Sequence, residues 1–336
     1  MLPTHFYSRP MVSLYFKGIA KDPKLNESLE KAGYKTPTDL FLKAKEHYLD
    51  SGTDTAVFTI PRTPFLLGIP TDSDIWTKTP EEVFKDQLFV NTNPFPGFQM
   101  GQSIARLGEL HLRKRIPGFP NGVPRSQLGA HDQRVYREFE PKAYQIYKEK
   151  LSTIEQFPQK SYTDFAHFLT RIQSADPPIF FDPGANNILI NKDRKQFRMI
   201  DPASKTDVER YHCIGNNLAG MTAALLDSGW ALLQAQQYHS NSTVPLAETD
   251  PEFNALRKAI LKKCIIAAHK ADLSPEQNPF PQSSEMHHSH DLKYAFKLAG
   301  LTEFECHKVL SSFSNAEFER TLESVFQEKT SHNNPG

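Results

Sequence analysis

One stretch, residues 179–203 (IFFDPGANNILINKDRKQFRMIDPA), restricts the fold of this chain more than any other. It holds three short apolar runs: Ile179-Phe180-Phe181, Asn187-Ile188-Leu189-Ile190 and Phe197 to Ile200. Each is too short for an ordinary helix and is bounded by residues that interrupt regular structure, so each reads as a strand. Asp182-Pro183-Gly184-Ala185-Asn186 forces a loop after the first run, and Asn191-Lys192-Asp193-Arg194-Lys195 is a polar turn after the second. The third strand therefore returns antiparallel to the second, and Asp201 stands at its end before Pro202. Such a hairpin brings Asp182, Asn187 and Asp201 to one edge. Two carboxylates and an amide oxygen are hard oxygen ligands, suited to Mg²⁺ held against phosphates, or to general-base work. The competing reading is that all three are ordinary turn residues.

The chain has 336 residues, with 39 basic and 39 acidic side chains. That length suggests two domains or one bilobed unit. Its neutrality argues against a bulk nucleic-acid binder. Apolar residues are only 38%, but 24 Phe supply area for a core. Cys213, Cys264 and Cys306 are odd in number and form no CxxC, so the expectation is a reducing, cytosolic compartment without disulfides. The N-terminal residues MLPTHFYSRPMVSLYF lack the form of a secretory signal, and no run of about 18 apolar residues marks a membrane span. The most apolar stretch, Leu218 to Leu233, reads as a buried helix.

Elsewhere, Met11 to Phe16, Ala56 to Ile60, Phe65 to Ile69 and Glu109 to Ile116 read as strands. Thr38 to Tyr48 has helical spacing, and Thr79-Pro80-Glu81-Glu82 opens a helix with a cap, a proline and acids in the first turn. Helices are expected over 131–151, 161–173, 208–238, 251–271, 288–299 and 302–328. Linkers fall at 239–250 and 273–287. The expected order is a divergent, mixed first lobe (1–115), a helical core carrying the hairpin (116–238) and a helical extension (239–330).

Asp182 and Asn187 form an Asp-x-x-x-x-Asn pattern, a hairpin follows, and Asp201 lies fourteen positions after Asn187. This arrangement resembles the catalytic segment of the protein-kinase-like superfamily. Leu110 to Gly122 resembles the strand and hinge between kinase lobes. Cys213-Ile214-Gly215-Asn216-Asn217-Leu218 resembles the start of a large helix in the second lobe. About ten residues separate Asp201 from that helix, which leaves no ordinary activation loop. This compactness resembles effector kinases that bacterial pathogens secrete into host cells, including ones responsive to inositol hexakisphosphate.

The resemblance implies an α+β, atypical bilobed kinase-like fold with a mixed α/β first lobe and a helical second lobe extended by C-terminal helices. It implies ATP and Mg²⁺ as cofactors and inositol hexakisphosphate as an activator. Asp182 would accept the proton of the attacking hydroxyl, and Asn187 and Asp201 would hold the metal. The implied activity is a Ser/Thr protein kinase acting on a host protein after secretion, with peripheral membrane association. A small-molecule or lipid-headgroup kinase is the first alternative, and a catalytically dead binding module is the second.

The departures are specific. Phe180-Phe181 replace the usual His-Arg, Gly184 stands where a Lys supports the γ-phosphate, Pro202-Ala203 replace Phe-Gly, and Arg210 replaces an Asp. Residues 1–110 contain no GxGxxG. Lys17, Arg62 and Lys78 are alternative phosphate-binding residues. Residues 101–150 carry ten Lys and Arg against five acids. Within them Arg113, Lys114, Arg115, Lys142, Lys148 and Lys150 could hold a polyphosphate or phosphoinositide, or simply form a solvated face. Lys262, Lys263 and Lys270 could meet an anionic headgroup or line the outside of a core helix. His287, His288 and His290 could bind a metal or occupy an exposed linker.

Overall fold

The structure is a computed structural model, and it describes residues 27, 29–35, 47–51, 55–70, 103–107, 110–115, 119–120, 145, 148–174, 180–181, 188–199, 202–203, 218–226, 250–275, 292, 296 and 300–327. The chain divides into two compact units. The first comprises Met1–Pro94, Gln99–Pro117 and Pro124–Ala130, and the second comprises Phe95–Phe98, Gly118–Val123 and His131–Gly336. Strands and helices coexist, so the class is α+β. Among the described residues no helix is long and apolar enough to cross a membrane.

The first unit contains a five-stranded antiparallel sheet. Its strands are β1 (Tyr48–Ser51), β2 (Thr55–Thr59), β3 (Phe65–Pro70), β4 (Ser103–Leu107) and β5 (Leu110–Lys114), in the order β1-β2-β3-β5-β4. Phe58, Ile60 and Leu67 are buried. β2, β3 and β5 match the expected strands. The helix expected over 38–48 falls largely outside the described residues. Its last position is corrected, because Tyr48 opens β1 and pairs with Phe58. An aromatic residue sits well on a half-buried strand, and cross-strand pairing overrides helical spacing there.

The second unit holds two small ladders. β6 (Phe119–Pro120), β8 (Ile188–Asn191) and β9 (Gln196–Met199) form a three-stranded sheet with β8 in the centre. β7 (Phe180–Phe181) pairs antiparallel with β10 (Pro202–Ala203). The hairpin expected over 187–200 is therefore present, with Asn191 inside β8 and the turn confined to 192–195. Its tip is fixed locally: the Arg194 amide donates to Asn191 Oδ1 at 2.9 Å, and Lys195 takes a left-handed φ of 52°. No local propensity marks Pro202-Ala203 as a strand.

Among the described residues the unit holds five longer helices: α1 (Gln159–Gln173), α2 (Leu218–Leu226), α3 (Pro251–Lys270), α4 (Glu303–Ser312) and α5 (Phe318–Gln327). A helical stretch over 148–155 precedes α1. Asp250 caps α3 by accepting the Phe253 amide at 2.9 Å, and Pro251 follows it. Thr302 and Glu305 form a capping box on α4. The single helix expected over 302–328 is in fact two. Asn315 interrupts it, its side chain accepting the Glu317 amide at 3.2 Å and its carbonyl accepting the Phe318 amide at 3.1 Å. An Asx-type turn of this kind competes with helix continuation.

Helix α3 packs on both α1 and α2. It buries Phe253, Ile260, Leu261, Cys264 and Ile265 in that core. A chain ending at residue 249 should therefore lose cooperative thermal unfolding of the second unit, which calorimetry would read as a missing transition. A separable C-terminal appendage would leave that transition unchanged.

Candidate functional site

Asp182, Asn187 and Asp201 lie outside the described residues, while the strands that flank them lie within. The chain enters the Asp182 loop from Phe181 and leaves it, after Asn187, at Ile188. It enters the Asp201 segment from Met199 and resumes at Pro202. Ile188 is the partner of Met199, and Phe181 is the partner of Pro202. All four flanking positions are thus fixed in pairs by backbone ladders, and the hairpin is attached further to β6 through Phe119↔Ile190 and Pro120↔Leu189.

The hairpin is held by one aromatic plug. Phe197 projects from β9 among Phe157 at 5.3 Å, Tyr162 at 5.2 Å in edge geometry, and Phe165 at 5.8 Å between ring centroids. All four are buried. The Tyr162 hydroxyl donates to the Ile154 carbonyl at 2.6 Å, and burial pushes its pKa well above the ordinary tyrosine value. Ser161 Oγ on α1 donates to the Lys195 carbonyl at 2.5 Å, which ties the hairpin turn to the same helix.

Strand alternation then assigns the hairpin's two faces. Ile188, Ile190 and Phe197 are buried on the helix-facing side. Leu189, Asn191, Gln196 and Arg198 lie on the opposite side. Arg198 is only 3% exposed. Its Nε and Nη1 are enclosed without a hydrogen-bond partner. Burial lowers its pKa from the ordinary guanidinium value, and the neighbouring Arg194 charge lowers it further. The sequence reading missed this residue. A period-2 pattern in QFRM put Arg198 opposite Phe197, but nothing in it signalled that the opposite face is enclosed too.

The basic residues proposed for a polyphosphate are placed unequally. Lys148 Nζ bridges Asp250 at 3.0 Å and Glu252 at 2.7 Å, so its charge already serves the start of α3. Lys150 is 5% exposed. The Lys148 ammonium is thus engaged by two carboxylates and Lys150 is buried. Arg115 is exposed, and its amide donates to the Pro64 carbonyl at 2.7 Å. Arg113 and Lys114 fall on β5, with side chains outside the described set; Lys142 lies outside it entirely.

Arg62 is exposed at the turn between β2 and β3, with a left-handed φ of 62°. The Tyr34 hydroxyl donates to the adjacent Pro61 carbonyl at 2.8 Å. Burial raises the Tyr34 pKa, partly offset by the Arg62 charge. Lys17 and Lys78 lie outside the described residues, as do His287, His288 and His290. Among the described residues no group of three His, Cys, Asp or Glu could hold a metal.

Lys262 pairs with Glu323 at 2.6 Å. Lys263 donates to the Glu155 and Phe157 carbonyls, the latter at 3.1 Å. These contacts commit both residues to interhelical packing rather than to an anionic headgroup. Cys264 and Cys306 are buried and form no disulfide, and burial raises the Cys264 thiol pKa far above its ordinary value.

No family model matches the chain, and no curated protein matches it. Solved structures give distant likenesses. The gentamicin complex of APH(2″)-IIa aligns at 12% identity and a TM-score of 0.28, covering 91% of this chain and 96% of that one. The streptomycin–ATP ternary complex of APH(2″)-IIa aligns at 13% identity and a TM-score of 0.28, covering 85% and 98%. Choline kinase from Cryptosporidium parvum Iowa II aligns at 13% identity and a TM-score of 0.31, covering 84% and 87%. Superpositions this loose establish no shared fold.

The Lys148 bridge yields a signed expectation. The hydrogen bond that Lys148 donates to Glu252 chiefly raises the Lys148 pKa, with Asp250 adding to it against the cost of burial. A raised lysine pKa contributes stability that is fully present below the unfolded value and lost as pH climbs through the folded one, above 10.5. Lys148→Met should cost about 1 kcal/mol at neutral pH, since the bridge is only partly shielded from solvent. The variant should also lack the wild type's extra loss of stability above that pH. Chemical denaturation at pH 7 and above pH 10.5 checks both.

Proposed function

We propose that this chain is an ATP-dependent phosphotransferase of the protein-kinase-like kind. It moves the γ-phosphoryl of ATP to a Ser or Thr hydroxyl of a protein, with Mg²⁺ as cofactor. The observation that supports this is the register of the two ladders. The flanks Phe181↔Pro202 and Ile188↔Met199 are paired, so the points where the chain enters and leaves the segments carrying Asp182, Asn187 and Asp201 are held in pairs. Cα atoms of opposed antiparallel residues lie about 4.5–5.5 Å apart. The two carboxylates and the amide oxygen are taken as one donor set on the spacing that led to the kinase resemblance.

This donor set fits Mg²⁺, which takes one or two protein oxygens and fills its remaining positions with phosphate oxygens and water. When bound, the ion would neutralise charge on the β- and γ-phosphates. Asn187 Oδ1 and the Asp201 carboxylate would hold it. The Asp182 carboxylate would orient the acceptor hydroxyl by accepting its hydrogen bond, and would take its proton as the oxygen attacks phosphorus. Positioning of the hydroxyl against the γ-phosphate would be the main catalytic contribution.

The host protein acceptor, delivery as a secreted effector, peripheral membrane association and activation by inositol hexakisphosphate belong to this proposal through the resemblance alone. So does the division into lobes at 1–115 and 116–238 with an extension at 239–330. A second reading, transfer to a small hydroxylated molecule or lipid headgroup, is favoured by one feature. About ten residues separate Asp201 from Cys213, too few for an ordinary activation and peptide-docking segment.

Two substitutions separate the roles. Asp201→Ala should abolish the Mg²⁺-dependent thermal shift produced by ATP and lower turnover at least about 100-fold. Asp182→Asn should keep the nucleotide shift and lose a comparable factor in kcat alone. Radiolabelled ATP incorporated into protein bands supports the protein acceptor, and label appearing only in small products supports the second reading. Binding of nucleotide without transfer to any acceptor would mark a non-catalytic module.

A further inference from the structure

Among the described residues of the second unit, two arginines are almost wholly enclosed with guanidinium nitrogens that lack a hydrogen-bond partner. Arg257 on α3 is 1% exposed, with Nε, Nη1 and Nη2 enclosed and its guanidinium 5.7 Å from the Phe253 ring centroid. It is shut into helix packing on all three nitrogens and offers no way in for a solute. Arg198 differs, because two of its three nitrogens are enclosed and it stands on a β-hairpin beside a turn carrying exposed Arg194.

An enclosed guanidinium without a counter-charge is costly, because desolvation is not repaid by any hydrogen bond. A second guanidinium close enough to repel it adds to that cost. One occupant removes both. A phosphate group carries about −1.5 to −2 charges at neutral pH and three strong acceptor oxygens, enough to accept from two guanidinium forks together. A single carboxylate carries half that charge.

We propose that Arg198, with Arg194, forms a phosphate-binding subsite on the face of the β8–β9 hairpin opposite Phe197. Arg198 lies level with Leu189, and Leu189 with Pro120, so the subsite has an apolar row beside it. A phosphate bound here could belong to a nucleotide held by Asn187 and Asp201, or be a separate anion. The subsite does not depend on the phosphotransfer reading, because Arg198 and its enclosure stand without it.

The test is a thermal-shift titration of the full chain with sodium phosphate and, separately, with ATP and MgCl₂, at ionic strength matched with NaCl. Wild type, Arg198→Met, Arg194→Met and the exposed-surface control Arg320→Met are compared. Phosphate at ten times its Kd should raise the wild-type Tm by about 3–5 °C. That rise should vanish in Arg198→Met, shrink in Arg194→Met and persist in Arg320→Met. Without ligand, Arg198→Met should melt above wild type, since it removes an enclosed unpaired charge.

An Arg198-dependent shift larger with MgATP than with phosphate assigns the subsite to the nucleotide. A shift with phosphate to which MgATP adds nothing assigns it to a separate anion and counts against the nucleotide site, while the subsite stands. The proposal is overturned if phosphate gives no shift, or an equal shift in wild type and Arg198→Met. It is also overturned if Arg198→Met melts lower without ligand or fails to fold, which would give Arg198 an internal carboxylate partner.

Discussion

The seating of Phe197 among Phe157, Tyr162 and Phe165 is the contact on which the rest of the second unit depends. It fixes the β8–β9 hairpin against α1, and Ser161 ties the hairpin turn to that helix. Once Phe197 is seated, strand alternation decides which residues face the helices and which face away. The ladder register then decides where the chain must leave and re-enter at 182–187 and 200–201. A slip of one residue in β9 would turn Arg198 into the aromatic cluster and Phe197 out of it. Register at the candidate site is therefore paid for by hydrophobic packing some distance from the chemistry.

The second unit also sorts its cations by task. Lys148 and Lys262 neutralise carboxylates at helix–helix contacts, and Lys263 satisfies the carbonyls that end the 148–155 stretch. These are structural uses of charge, with a near partner in each case. Arg198 has burial without a partner, next to another cation. Natural chains tolerate such local conflict where function requires it. That contrast is why the phosphate reading falls on Arg198 and not on the more numerous surface lysines.

Much of the fold was legible because strong local signals agreed with tertiary packing. The runs at 55–59, 65–70, 110–114, 188–191 and 196–199 are strands, and 159–173 and 251–270 are helices. What was not legible depended on partners distant in sequence. Tyr48 pairs as a strand because Phe58 is opposite it. Pro202-Ala203 forms a strand because Phe180-Phe181 supplies the ladder, and no local propensity of Pro-Ala announces that. The split of 302–328 was present in Ser314-Asn315, read there as helix interior rather than as a turn. For the site, spacing alone selected Asp182, Asn187 and Asp201, which lie outside the described residues, and the ladders hold only their flanks. Lys148 and Lys150 looked like ligand-binding cations because sequence shows charge but not the carboxylates or the burial that absorb it.

The most direct test of the account is anomalous scattering from crystals grown with MnCl₂ and a non-hydrolysable ATP analogue. The account expects a manganese peak within coordination distance of Asn187 Oδ1 and the Asp201 carboxylate, about 2–2.3 Å, with the γ-phosphate facing Asp182. A nucleotide–metal peak elsewhere in the molecule, or Asp182 and Asp201 on opposite sides of an intact β7–β10 ladder, would contradict it.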